Sequence, residues 1–359
     1  MPSDILFSPF ALGAITLKNR VVMAPMTRQR SPGNVPSPSV ATYYAQRAEA
    51  GLIVTEGTSP SPNGLGYTRI PGLFNETQAS AWSKVTAAVH DKGGRIFVQL
   101  MHTGRASHPD NMPKGSRILA PSAIALPDPV WVDPDGPKPV PVPTEMTEQD
   151  IETTIEEYAQ SSALAIKAGF DGVELHGANG YLIDQFLNVA SNQRKDRWGG
   201  SVENRTRFAL EVTQRAAARI GKEKVGIRVS PYGAFNGMTS DPAIEDVYEL
   251  LARKLSELGV VYVHIVDHSS MGAPEVKPSV KRKIRENFHG AVILSGGYDR
   301  GRAEVDLAEK RCDLIAFGRP FIANPKLVTR LRDHAELHAP DFATFYTPGD
   351  KGYVDYPAG

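Results

Sequence analysis

The sequence is short of cysteine, of unbalanced charge and of long apolar runs. It has 359 residues and one cysteine, Cys312, which excludes an intrachain disulfide and suits a reducing, cytoplasmic compartment. The 40 basic and 40 acidic residues balance, so charge indicates neither a nucleic-acid partner nor a membrane surface. No apolar stretch approaches the roughly 20 residues of a membrane-spanning helix. We therefore expect a soluble globular protein of the cytoplasm.

Several short signatures are also missing. Residues 1–5 lack the basic start and apolar run of a signal peptide, and residues 355–359 match no common targeting tail. No glycine fingerprint of a Rossmann dinucleotide site or of a P-loop is present, and the nine histidines lack metal-ligand spacing. The sequence therefore predicts neither a metal site nor a dedicated dinucleotide domain.

Eight short runs rich in Val, Ile, Leu and Ala recur, each followed by a helical pattern. Nearly continuous apolar runs are typical of strands that are covered on both faces. Eight such units predict a closed (β/α)8 barrel, with a doubly wound open sheet as the rival. The predicted strands span residues 20–24, 51–57, 95–101, 171–176, 225–229, 260–266, 291–295 and 313–317. The predicted helices span residues 39–50, 76–92, 148–168, 204–220, 243–258, 276–288, 301–311 and 324–334.

The remaining segments fit a single domain over residues 1–359. Residues 10–17, ahead of the first strand, predict a hairpin that closes the bottom of the barrel. Residues 102–146 follow the third strand, and their proline-rich part, 125–143, cannot form a helix. Because this insertion leaves the carboxyl end of a strand, it emerges on the face where barrels place their active sites. It is either a lid or a passive surface loop.

The segment 171–181 carries the densest chemistry. A predicted buried strand runs into a glycine-bracketed turn that holds His176, Asn179 and Tyr181 within six positions. His and Asn side chains can donate hydrogen bonds to one oxygen, and a phenol nearby can deliver a proton. The pattern predicts a site that polarises a carbonyl and protonates the carbon beside it, without naming the attacking group.

The seventh and eighth strands end in glycine turns, at Gly296 and Gly297 and at Gly318, followed by Arg319. Barrels usually bind phosphate at these two strands, and a guanidinium suits phosphate oxygens. The sequence therefore predicts a phosphate site. The alternative is that the glycines only shape tight loops and that Arg319 pairs with an acid.

Three further side chains end the first, third and fifth strands: Thr27, Gln99 and Arg228. A carboxamide and a cation suit the edge of a pyrimidine-like ring. The alternative is that each is a structural hydrogen bonder, and that Arg228 pairs with Glu174 or Glu56 inside the barrel.

Together these residues resemble the old yellow enzyme family of flavin-dependent ene-reductases. The matching motifs run through nearly the whole chain and keep their order, which makes the resemblance specific. They occupy residues 18–28, 43–48, 51–57, 97–100, 174–187, 196–201, 204–205, 228–232, 318–325 and 353–357.

The resemblance implies a barrel that binds FMN noncovalently. It implies that His176 and Asn179 bind the carbonyl or nitro oxygen of the substrate, and that Tyr181 supplies a proton. Tyr67 and Tyr346 resemble aromatic residues of the family's pocket. The isoalloxazine would be held by Pro25, Met26, Thr27, Gly57, Gln99 and Arg228, and the phosphate by Gly297, Gly318 and Arg319, beside Gly296.

The implied reaction is reduction of the C=C bond of activated alkenes, such as α,β-unsaturated carbonyls and nitroalkenes. Reduced FMN would give a hydride from N5 and Tyr181 a proton from the opposite face, for net trans addition. NAD(P)H would reduce FMN, with NADPH expected ahead of NADH although no fingerprint decides between them. Many family members carry Trp where this chain has Met101, which suggests a roomier substrate pocket.

Two rival functions stay open on sequence alone. One is a flavin-free phosphosugar lyase or isomerase on the same barrel, which needs a lysine or carboxylate base at a strand end. The other is a noncatalytic flavin-binding protein. The natural substrate, and the choice between monomer and homodimer, are also open.

Overall fold

The apolar runs form the strands of a closed parallel barrel, because such strands are shielded from water on both faces. The computed structural model describes residues 4–357, and the stretches searched for targeting signals partly lie outside it, at residues 1–3 and 358–359. Within the described part, eight parallel strands close one barrel. In chain order these barrel strands are Val21–Met23, Leu52–Thr58, Ile96–Leu100, Gly172–Gly177, Val225–Val229, Tyr262–Val266, Ala291–Ser295 and Leu314–Phe317.

Each barrel strand pairs in parallel with the next, and the eighth pairs with the first. This closure confirms the predicted (β/α)8 barrel and excludes the open sheet, which would keep two unpaired edges. The register sets His176 beside Arg228 and Arg228 beside His264. It also sets Gln99 beside Glu174. Polar side chains from the third to the sixth strand therefore meet near one end of the barrel.

Helices follow the strands and surround the barrel. The two longest, Glu148–Lys167 and Val202–Ile220, pack against each other. Within residues 4–357, no helix has both the length and the apolar character needed to cross a membrane. The α-helices are Pro38–Gln46, Glu76–His90, Glu148–Lys167, Leu182–Leu187, Val202–Ile220, Ile244–Leu258, Pro278–Asn287, Arg300–Ala308, Arg319–Ala323 and Leu327–Arg332.

Helix ends shift by up to four residues from the prediction, as where the helix predicted over 39–50 ends at Gln46, and two segments differ more. The predicted helix over 324–334 is wrong at its start, because Asn324 caps a separate helix, Arg319–Ala323, and the last helix runs only over Leu327–Arg332. Pro325 follows Asn324 and disfavours helical backbone there. The helix Leu182–Leu187 was not predicted, since six residues are too few to show a helical repeat.

An N-terminal hairpin closes the amino end of the barrel. Phe10–Leu12 and Ile15–Leu17 pair antiparallel. Leu12 and Leu17 are buried and belong to an apolar cluster formed with residues of the barrel strands and of the loops that lead into them. This cluster, which we call the bottom plug, also contains Val22, Ala24, Leu52, Val54, Phe97, Val261, Tyr262, Ala291, Ile293, Leu314 and Ala316.

The segment 102–146 folds without an α-helix. It contains the hairpin Val130–Val132 and Gly136–Lys138, and a short parallel pair, Leu119–Ala120 with Thr144–Glu145. The Thr68 hydroxyl donates to Asp133 at 2.7 Å. This hydrogen bond ties the segment to the loop that follows the second barrel strand.

Candidate active site

A cavity of about 880 Å³ opens where the barrel strands end. Because carboxyl ends of parallel strands converge, side chains distant in sequence share this space. The cavity brings together most of the predicted site residues. Its lining includes Pro25, Met26, Thr27, Tyr67, Gln99, His176, Asn179, Tyr181, Arg228, Gly296, Gly297, Gly318, Arg319 and Tyr346.

Gly57 and Met101 lie outside this lining. Met101 is 1% exposed and packs with Leu65 and Ile70, behind Tyr181. A Cβ atom added to Gly57 would lie 2.4 Å from the Met101 sulfur, so the thioether fills the space that the glycine leaves. Met101 therefore does not line the substrate pocket, contrary to the expectation that it makes the pocket roomier. It can affect the size of the pocket only through its packing against residues such as Tyr181.

His176 ends the fourth barrel strand and is 3% exposed. Its Nδ1 accepts a hydrogen bond from the backbone N–H of Ala178 at 3.3 Å, which assigns the ring proton to Nε2. Burial, together with the Arg228 guanidinium, holds the pKa of His176 well below its usual value. The ring is therefore a neutral donor at pH 7.

The turn after His176 has a strained backbone that hydrogen bonds hold in place. Asn179 has a positive φ of 60°, and its N–H donates to the Ser230 hydroxyl at 2.8 Å. Gly180 follows with φ of 70°, and a Cβ there would lie 2.6 Å from the Phe235 carbonyl oxygen. The Gly180 N–H donates to Asp184, and burial raises the pKa of this carboxyl to about 7. The turn is thereby fixed before any ligand arrives.

Tyr181 closes the same turn and starts the helix Leu182–Leu187. Its ring stands edge-on to His176, with 4.8 Å between ring centroids, and edge-on to Tyr67 at 5.9 Å. Burial and the Tyr67 phenol raise the pKa of Tyr181 well above its usual value. Tyr181 therefore keeps its proton at neutral pH, as a proton donor must.

A buried network orients Gln99. Its Nε2 donates to the Glu174 carboxylate at 2.8 Å, and Tyr262 and His264 bind the same carboxylate at 3.1 and 2.8 Å. Burial opposes the charge of Glu174, but His264 and Arg228 bring the pKa of this group below its usual value. Since the Gln99 nitrogen is engaged, its carbonyl oxygen is left to accept a hydrogen bond in the cavity.

Arg228 is 6% exposed, and its Nε has no hydrogen-bond partner in the part of the chain that the structure describes. The Nε atom is itself shielded, but the Arg228 side chain lines the cavity, so its guanidinium is placed to meet an acceptor on a bound ligand. The two acids considered as alternative partners of Arg228 have other partners. Gln99, Tyr262 and His264 bind Glu174, and Glu56 accepts the backbone N–H groups of Arg28 and Gln29. A donor at Arg228 and an acceptor at Gln99 fit the edge of the FMN ring that the resemblance implies.

The glycine turns lie at the other end of the cavity. Gly296 has φ of 129°, and a Cβ there would meet the Asp267 carbonyl oxygen at 2.0 Å, so only glycine fits. Gly318 caps the helix Arg319–Ala323, and the Arg319 guanidinium lies over the Phe342 ring, 5.5 Å from its centroid. Packing against the loop after the sixth strand therefore accounts for Gly296, while Arg319 brings a planar cation to the cavity wall beside Gly318.

Several lining residues were missed by the sequence analysis. His268 and Asn236 come from the loops after the sixth and fifth strands, and Trp131 comes from the segment 102–146. The strand-end rule that found Arg228 could have found His268, two residues past its strand. Within residues 4–357, no group of His, Cys, Asp or Glu side chains is arranged to hold a metal ion.

Comparisons with known proteins agree with this geometry. Residues 5–338 match the family described as NADH:flavin oxidoreductase / NADH oxidase. The chain is 40% identical over 371 residues to 12-oxophytodienoate reductase 7 of Oryza sativa subsp. japonica, covering 98% of this chain and 94% of that protein. It is 39% identical over 359 residues to a probable flavin mononucleotide-dependent alkene reductase of Leishmania infantum, covering 99% and 97%. The structure of the old yellow enzyme homologue from Zymomonas mobilis superposes with a TM-score of 0.94 at 40% identity, covering 98% of this chain and 99% of that one.

Proposed function

Because the chain belongs to the NADH:flavin oxidoreductase / NADH oxidase family, as its resemblance to the old yellow enzymes implied, we propose that the residues of its cavity divide the work of an ene-reductase. The protein is an FMN-dependent oxidoreductase that reduces the C=C bond of activated alkenes with electrons from NAD(P)H. The comparisons do not support a flavin-free lyase or isomerase, or a noncatalytic flavin-binding protein.

We propose that the cavity holds FMN along its whole length. FMN held there would supply the hydride chemistry that carries electrons from NAD(P)H to the alkene. The Arg228 guanidinium and the free carbonyl of Gln99 would hydrogen-bond the ring edge. The other proposed ring contacts are Pro25, Met26 and Thr27, with Gly57 supporting the ring indirectly because it does not line the cavity. The proposed phosphate contacts are Gly296, Gly297, Gly318 and Arg319.

His176 and Asn179 are the proposed oxygen-binding pair. Hydride addition to the β-carbon pushes negative charge onto the carbonyl or nitro oxygen of the substrate. Two donors already in place stabilise that charge most when it is greatest, which accelerates the step. The carrying observation is that His176 offers its Nε2 proton, because its Nδ1 is occupied by the N–H of Ala178.

Tyr181 is the proposed proton donor to the α-carbon. Its raised pKa keeps the phenol protonated, and the fixed turn holds it beside the oxygen-binding pair. We propose that Tyr67 and Tyr346 frame the substrate on the same side, since both line the cavity.

We propose that residues 1–359 form one flavin-binding domain and that residues 102–146 serve as a lid over the cavity. Trp131 supports the lid, because it lines the cavity although 53% of the residue is exposed. We propose that the protein works as a monomer or as a homodimer. The buried lone Cys312 supports a reducing, cytoplasmic setting.

Tyr181→Phe tests the assignment by separating the two halves of the reaction. We expect the rate constant of alkene reduction to fall on the order of 10²-fold or more, because the general acid is lost. Flavin reduction by NADPH or NADH should change little, since no proton from Tyr181 is needed there. Stopped-flow absorbance measures both halves, and equal losses in both would contradict the assigned role.

A further inference from the structure

His268 holds the side chain of Asn179. It lies two residues beyond the sixth barrel strand and lines the cavity. Its Nε2 is 2.8 Å from the Asn179 side-chain oxygen. The motifs that carried the family resemblance do not include this histidine.

Asn179 needs such a partner because its carboxamide has two opposite ends. The main chain of Asn179 is fixed by Ser230, which accepts its N–H, and by Asn236, whose amide donates to its carbonyl at 2.8 Å. These bonds leave the last side-chain torsion free, and that torsion is broad and nearly two-fold. Turned one way, the carboxamide offers N–H donors to the cavity. Turned the other way, it offers an oxygen that would repel the oxygen of a substrate.

With the His268 ring in its Nε2–H tautomer, the bond to His268 selects the first orientation. When the His268 Nε2–H donates to Oδ1 of Asn179, the amide nitrogen must face away from His268, toward the cavity. The His268 ring is itself held edge-on to Phe235, with 4.7 Å between ring centroids. Burial lowers the pKa of His268 to about 4, helped by the Arg228 guanidinium, so the ring is neutral at pH 7.

We propose that His268 is a positioning residue that turns the Asn179 carboxamide so that its N–H group meets the acceptor oxygen of the substrate. The proposal rests on the role given above to Asn179 and deepens it. His268 acts through Asn179 and makes no contact of its own with the reacting atoms.

A double-mutant cycle with a conservative variant tests this role. His268→Leu removes the donor, His268→Gln keeps an N–H near the same position, and each is combined with Asn179→Ala. Calorimetric titration of the FMN-loaded protein with cyclohexenone measures binding without turnover, and stopped-flow kinetics add the rate of alkene reduction. Thermal unfolding shows that each variant is folded.

We expect His268→Leu to weaken cyclohexenone binding about five- to tenfold, the effect of one hydrogen bond, and His268→Gln to restore most of it. In the Asn179→Ala background, His268→Leu should cost nothing further, because the group that it orients is gone. The same loss in both backgrounds would overturn the proposal, since it would mean a direct contact. A normal His268→Leu beside a weakened Asn179→Ala would overturn the role of His268 alone. A normal Asn179→Ala would overturn the oxygen-binding assignment itself.

Discussion

The two ends of the barrel solve different problems. The amino end is filled by the bottom plug, in which Leu12 and Leu17 pack among apolar residues. The carboxyl end holds a large cavity whose walls contain a buried cation, Arg228, and a neutral buried imidazole, His176, and the buried carboxylate of Glu174 accepts a hydrogen bond from Gln99 of the same wall. Only the carboxyl end can stabilise developing charge. At the amino end nearly all side chains are apolar, and their burial stabilises the fold.

The residues that stabilise the fold and the residues of the proposed reaction thus lie toward opposite ends of the barrel. Apolar burial at the plug stabilises the fold. Each buried ionisable group around the cavity at the carboxyl end, which we call the mouth, instead carries a desolvation cost that its neighbours must offset. Substitutions at the plug should therefore change the free energy of unfolding, and substitutions at the mouth should change rates, ligand affinity or pH dependence.

The largest effect that would sharpen this contrast is expected at the plug. Leu12→Ala removes a side chain that is 1% exposed and should lower the free energy of unfolding by about 3 kcal/mol, through lost burial and a residual cavity. Activity per folded molecule at 25 °C should stay unchanged. Denaturant titration measures the first quantity and steady-state kinetics the second. Exposed Thr16 offers a control on the same hairpin, because Thr16→Ala should change stability by less than about 0.5 kcal/mol.

A smaller effect is expected from a buried histidine beyond the third strand. Burial lowers the pKa of His102 to about 3, and its Nδ1 accepts the N–H of Gly104. Because the unfolded chain takes up a proton near pH 6.5 and the folded chain does not, stability is full above pH 6.5 and falls as the pH drops from there toward 3.

His102→Asn keeps an acceptor for Gly104 and removes this titration. The loss of stability between pH 7.5 and pH 5 should therefore shrink by about 2 kcal/mol relative to the parent protein. Denaturant titrations at the two pH values measure it. Exposed His289 supplies the control, since His289→Asn makes the same substitution at a surface histidine. An unchanged pH dependence in His102→Asn would mean that this imidazole does not carry the desolvation cost assigned to it.

The smallest effect concerns the lid. Trp131→Ala removes a half-exposed ring from the cavity wall and should raise KM for a bulky enone roughly threefold, with kcat nearly unchanged, as expected when contact is lost equally in ground and transition states. Trp131→Phe should keep most of the contact. A fall in kcat with no change in KM would instead give the ring a part in the chemical step.

Most of the fold was predictable because each strand reads as a compact apolar run. The predicted fifth and seventh strands match Val225–Val229 and Ala291–Ser295 residue for residue. Boundaries failed where a local effect competes with the helical pattern, as at Asn324 before Pro325. The short helix Leu182–Leu187 was missed for another reason: six residues are too few to show a helical repeat in the sequence.

The site was predictable to the extent that strand ends converge. His176, Gln99 and Arg228 share the cavity for that reason. Met101 behaves differently: the period of two along a strand would turn it inward with Gln99, but the strand ends at Leu100 and the side chain packs behind the wall. His268 lies in an irregular loop, where no repeat reports the direction of a side chain.

The bottom plug also bears on how the chain is made. Leu12 leaves the ribosome early, yet its partners include Leu314 and Ala316 near the other end of the sequence. At bacterial or eukaryotic synthesis speeds, the intervening stretch takes roughly 15–60 s to appear. Throughout that interval the hairpin lacks part of the apolar cluster against which it packs. The nascent protein therefore exposes apolar side chains until its last barrel strand is translated. Ring closure is therefore a late event, and a chain that ends upstream of the eighth strand cannot close the barrel.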